Sequence, residues 1–111
     1  MNEHELVERI QLLEFHQKLL LKLINNPKLE FSKLIIENGI SEQEVQSFFK
    51  LCEEMCNKMA KQKAEGFVYF YPLFDEFSTS LPPTLQTEEV IPACLRQNLF
   101  ESLMLEFKKY L

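Results

Sequence analysis

Apolar residues recur along the first segment of the chain, from about Glu3 to Asn25, at the spacing of a helical seam. Leu6, Ile10, Leu13, Leu20 and Ile24 follow one another at intervals of four, three, seven and four, and Gln17 takes the one polar position of the heptad pattern. Leu12, Phe15, Leu19, Leu21 and Leu23 are apolar as well, so the back half of this helix is greasy on more than one face. Such a helix lies either in the middle of a fold or in a subunit interface.

Asn25-Asn26-Pro27 stops the segment. Asn is a good N-cap and Pro is favoured at the first helical position, so a second helix is expected from Pro27, with Leu29, Phe31, Leu34, Ile35 and Ile36 apolar. Asn38-Gly39 ends it, Gly39 supplying a left-handed cap. Ser41-Glu42-Gln43-Glu44 reads as a capping box opening a long third helix, whose apolar stripe is Val45, Phe48, Phe49, Cys52, Met55, Cys56 and Met59. Lys58, Lys61 and Lys63 suit the negative end of its dipole, Gly66 is the stop, and Phe67 is placed to fold back on the preceding turn.

Phe67-Val68-Tyr69-Phe70 reads as an extended connector. Pro72 opens a fourth helix through about Thr79, with Leu73, Phe74 and Phe77 inward. Leu81-Pro82-Pro83-Thr84 is the only linker-like stretch. Thr87 caps a fifth helix from Glu88, with Val90, Ile91 and Leu95 apolar, and Pro92 one turn in makes it short or kinked. Asn98 resembles a left-handed helix end, and Leu99 to Tyr110 form the last helix, with Leu99, Phe100, Leu103, Met104 and Phe107 inward. There is no internal repeat. The pattern predicts one all-α, compact multihelical domain over residues 1–111, of five to six helices, with the long first and third helices as its frame.

Composition supports one globular domain: 46% of the 111 residues are apolar and 26% charged, and only two are glycine. A chain of this length buries roughly 65% of its unfolded surface, enough for a core without disulfides or metal. Seventeen acidic residues against twelve basic give a net charge of −5, which argues against nucleic-acid backbones and anionic membranes as partners. The first ten residues, MNEHELVERI, lack the apolar run of a leader, and no stretch is apolar for long enough to span a bilayer. Three cysteines at no framework spacing fit a reducing cytoplasm, which is the expected compartment.

The candidates for chemistry are sparse. Cys52 and Cys56 share a helix face, but a zinc site needs further ligands, and Cys94, His4 and His16 are scattered over distant segments, so core packing is the preferred reading and no metal is expected. His4 and His16 fall roughly 120° and 18 Å apart on one helix and cannot share a ligand. The acidic pairs Glu53-Glu54, Asp75-Glu76 and Glu88-Glu89 read as solvated faces. No phosphate-binding glycine loop or nucleophile elbow occurs, so no cofactor and no catalytic residue are assigned. Residues 31–55 have the outline of a helix-turn-helix, but a base reader starts its second helix with basic or amide side chains, and here Glu42 and Glu44 stand there. Six aromatics crowd one stretch: Phe67, Tyr69, Phe70, Tyr71, Phe74 and Phe77. No Lys or Arg lies among them, as a single-strand platform would require. The preferred reading puts Phe67, Phe70, Phe74 and Phe77 in the core and leaves the Tyr69 and Tyr71 hydroxyls at the surface; the alternative is a pocket lined by Phe70, Tyr71 and Phe74.

The segments LVERIQLLEFHQKLLLKLI, LIIENGISEQEV, KLCEEMCNKMAKQKAEGFVYF and VIPACLRQNLFESLMLEF together resemble the YhaI-like family of small proteins from Bacillus and relatives, from about Leu6 to Phe107. QKAEGFV and QNLFESLM are the most specific parts of the resemblance. The family pattern has Gly where this chain has Asn98, and tends to an acidic helix cap where this chain has Phe70-Tyr71. The resemblance implies an all-helical, self-associating fold and carries over no functional residue. Together with the apolar excess on the first helix, it leads to a non-catalytic interaction or regulatory protein acting as a homo-oligomer. Gln17 would fix register in a seam of Leu6, Ile10, Leu13, Leu20 and Ile24. A further protein partner, a small-molecule binder using residues 67–77 and, more distantly, a DNA-binding regulator are the competing functions.

Overall fold

The computed structural model describes residues 1–111 as six helices with no strand. They are α1 (Glu3–Asn25), α2 (Glu30–Glu37), α3 (Glu42–Ala64), α4 (Tyr71–Ser80), α5 (Thr87–Arg96) and α6 (Glu101–Lys108). The fold is all-α, and the first and third helices, 23 residues each, are the long ones.

The helix ends show why the chain turns where it does. At α3 the capping box is formed: the Glu44 N–H donates to Ser41 Oγ, and the Ser41 N–H to Glu44 Oε1, both at 3.2 Å. Three helices stop on a left-handed residue: Gly39 (φ 64°), Gly66 (φ 94°) and Asn98 (φ 60°). At each stop the following amide reaches back five residues. Ile40 N–H donates to Ile35 O at 3.0 Å, Phe67 N–H to Gln62 O at 2.9 Å and Leu99 N–H to Cys94 O at 2.8 Å. That is the Schellman arrangement, and it satisfies carbonyls that a helix end otherwise leaves to water.

Three expectations are corrected. The second helix starts at Glu30 rather than Pro27, because the Asn26 side chain accepts from the Lys28 N–H at 3.1 Å and so closes a turn instead of capping a helix. With Leu29 as a non-capping N-cap, the orphan Ser32 N–H is met from elsewhere: it donates to Gln97 Oε1 at 3.0 Å, and Gln97 Nε2 returns a bond to Ser32 Oγ at 3.3 Å. The last helix starts at Glu101 rather than Leu99, because Phe100 also adopts a left-handed φ of 50° beyond Asn98. A bulky residue enters that region at a cost, and here its ring is held 5.8 Å from that of Phe49. Finally, Phe67 does not fill the core; half of its surface is exposed.

α2 packs on α1 and α5, α5 on α6, and α3 on α4 and α6. The core lies wholly within residues 31–107: Phe48, Phe77, Phe107, Ile35, Ile40, Ile91, Leu103 and Met104 are among its fully buried side chains. Aromatic rings form its spine, with Phe48 and Phe77 at 6.2 Å and Phe77 and Phe107 at 5.0 Å between centroids. α1 contributes no buried residue. It leans on the core through Phe15 and Leu19, in one half-buried row with Leu12, His16 and Leu23. His16 Nε2 lies 2.9 Å from Ile40 O, and since a carbonyl only accepts, that nitrogen carries the proton.

Candidate functional site

The heptad seam read from the sequence lies on the outside of the chain. Leu13 and Ile24 keep 67% and 77% of their surface, Leu6, Ile10 and Leu20 about half, and Gln17 among them is exposed. Val7 and Leu21, which the seam pattern omitted, extend the same face. At 100° per residue this stripe is centred roughly 125° around the helix from the Leu12–Leu23 row that meets the core. α1 therefore has two apolar faces: one leans on its own chain, and the other is left exposed. Arg9 and Glu14 flank the outer stripe on opposite sides, and neither has an ion-pair partner within the chain, whose ion pairs are Lys33–Glu37, Lys58–Glu76, Arg96–Glu30 and Lys109–Glu106, with His4 in contact with Glu8. The heptad positions beside the seam were the signal for Val7, Arg9, Glu14 and Leu21.

The aromatic segment divides between inside and outside. Phe70, Phe74 and Phe77 are buried, while Phe67, Tyr69 and Tyr71 are exposed together with Val68. Tyr69 and Tyr71 stack at 6.3 Å, and the ring of Tyr110 meets both edge-on at 5.9 and 5.8 Å. The Phe70 N–H donates to Tyr110 Oη at 2.9 Å, so the last turn of the chain holds the start of α4, which has no side-chain cap of its own. No local pattern announces Tyr110 here, because its partner lies forty residues away. The three main clefts lie elsewhere and none is lined by residues 67–77. The largest, about 1,200 Å³, is an open groove between the first half of α1 and the start of α3, with Glu5, Glu8, Glu42 and Glu44 on its walls.

The cysteines are held neutral and both histidines are engaged in structural contacts. Burial pushes the Cys94 thiol up to about 12 and raises Cys52 still more strongly, with Cys94 and Cys56 adding to the effect at Cys52. Cys56 is half-buried and raised by desolvation, then by Glu53. Nucleophilic cysteines need the opposite shift. No three His, Cys, Asp or Glu side chains converge as metal ligands. His4 pairs with Glu8 at 2.8 Å, and His16 is bound to Ile40 O. At the start of α3, Glu44 is engaged in the capping box and Glu42 is exposed, which leaves the helix-turn-helix outline without a basic reading edge. No helix is long and apolar enough to cross a membrane.

Residues 3–111 match a family described as protein of unknown function (DUF1878).

Proposed function

The chain belongs to that family, and from this footing we propose that it is a non-catalytic interaction or regulatory protein of the cytoplasm whose working form is a homo-oligomer built on α1. One observation carries the reading. A 23-residue helix has no buried residue, yet exposes seven large apolar side chains along one stripe. Together these present roughly 700 Å² of residue surface, above the 300–600 Å² of the largest patch on an ordinary monomer. The stripe is separate from the row that meets the core, so a second copy can cover it without disturbing either protomer.

The thiols held neutral and the histidines engaged in structural bonds support a non-catalytic role. The finer kinship, with the YhaI-like proteins of Bacillus and relatives, belongs to the same proposal. The two segments that carry it, QKAEGFV and QNLFESLM, hold the left-handed stops at Gly66 and Asn98. The competing reading, a small-molecule binder, draws on the exposed Tyr69–Tyr71 stack.

Native mass spectrometry under gentle conditions separates the two. A bare multiple of 13.2 kDa is the expected result. Extra mass on each subunit would transfer the function to the aromatic segment, and a bare monomer at tens of micromolar would overturn the proposal.

A further inference from the structure

We infer that the outer face of α1 pairs with the same face of a second copy as a parallel, two-stranded coiled coil. This rests on the self-association proposed above and adds its strand number, direction and register. The heptad places Ile10, Gln17 and Ile24 at a and Leu6, Leu13 and Leu20 at d. β-Branched residues at a with Leu at d favour two parallel strands, and one polar a residue fixes register.

Direction follows from the polar groups. In a parallel pair Gln17 faces the partner's Gln17, and the two amides can bond to each other across the seam. Arg9 at g then stands beside the partner's Glu14 at the following e, so two symmetric ion pairs use two side chains that have no partner within the chain. An antiparallel pair covering the same six layers is centred on residue 15. It sets Leu6 against the partner's Ile24, buries Gln17 against the partner's Leu13, and brings Glu14 beside the partner's Glu14. The last two changes are unfavourable, since an amide loses its partner and like charges meet. Glu5, Glu8, Lys18 and Lys22 lie at b, c and f, away from the partner, and do not decide direction; Glu3, at a, sits in the solvated first turn.

The rest of the molecule permits this pairing. The row that meets the core occupies c, f and g positions and is centred roughly 125° from the seam, which sets the two bodies toward the outer side of the pair. The seven exposed apolar residues offer roughly 700 Å² per protomer, close to the ~800 Å² per partner of a stable interface.

The test is disulfide trapping of Leu6→Cys in a Cys56→Ser background, with Cys52 and Cys94 fully buried and silent. Leu6 is half exposed in the single chain, so the substitution leaves the fold intact. A parallel pair brings the two introduced thiols to bridging distance, and mild oxidation is expected to give a covalent dimer. An antiparallel pair holds them about 27 Å apart. A non-covalent dimer that crosslinks only when Leu6→Cys is mixed with Ile24→Cys would overturn the parallel arrangement and leave self-association standing. A protein that stays monomeric before oxidation would overturn both. As an independent readout, Arg9→Glu and Glu14→Arg are each expected to raise the dimer Kd roughly two- to thirtyfold, and the double variant to restore it. Additive losses in the double variant would contradict the pairing.

Discussion

Replacing Leu13 by Glu separates assembly from folding. In the single chain Leu13 keeps 67% of its surface and touches no part of the core, so the substitution removes nothing that holds the protomer together. In a dimer, that exposed fraction is roughly 120 Å² of apolar surface, worth about 3 kcal/mol per protomer and ~6 kcal/mol per dimer at 25 cal/mol/Å². A carboxylate placed in the seam adds its own desolvation. The expected result is a dimer Kd raised on the order of 10⁴-fold or more. Sedimentation equilibrium over nanomolar to high micromolar protein reads this directly, and far-UV circular dichroism checks the fold. Helicity over α2 to α6 should persist, with any loss confined to fraying of α1. An unchanged assembly at the same concentrations would refute the assignment of this face. Loss of the whole helical signal would show that Leu13 belongs to the core.

Three further outcomes follow from the same structure. Gln17→Leu should tighten the assembly roughly tenfold or more while loosening its register, read as a lower Kd in sedimentation; no change or a weaker assembly would count against a buried seam glutamine. Gln97→Ala leaves the Ser32 N–H and hydroxyl unpaired at a residue only 6% exposed, so urea unfolding should show about 1–3 kcal/mol lost, with Gln97→Glu largely restoring it through the retained acceptor. The raised thiols of Cys52 and Cys94 make stability pH-dependent in one direction. Unfolded thiols ionise near 9 while the folded ones stay neutral, so stability is full below that pH and falls as pH rises toward 12; thermal melts across that range, with Cys52→Ala and Cys94→Ala flattening the slope, check it.

Local chemistry was the most legible part of the fold. Ser41 with Glu44, and the glycines at 39 and 66, mark α3 from start to stop because each cap is made by residues within one turn of it. The start of α2 is not legible in the sequence because Asn26 and Pro27 are as suited to a turn as to a cap. What settles the choice is Gln97, sixty-five residues away, which satisfies the Ser32 amide instead. The place of Phe100 is hidden for a related reason, since no residue type announces a second left-handed position after Asn98. The aromatic segment was half legible. Its burial alternates as Pro72 and the helix period require from Phe70 onward, but Phe67 turns outward because the cap at Gly66 fixes the direction of the chain without any core behind it. The seam on α1 was visible as a period. Which of its two apolar faces meets the chain's own core was not, because Leu6–Ile24 and Leu12–Leu23 are equally greasy in sequence, and only the seat of Phe15 and Leu19 on the core tells them apart.

Hydrogen exchange along α1 at high and low protein concentration tests the central claim most directly. The amides from Leu6 to Ile24 have no buried side chains to protect them in a single chain, so their protection should be strong when the protein is concentrated and fall on dilution, while α3 amides around Phe48 and Met55 stay protected throughout. Protection in α1 that does not change with concentration, or that is weak at every concentration, would contradict an interface on this helix.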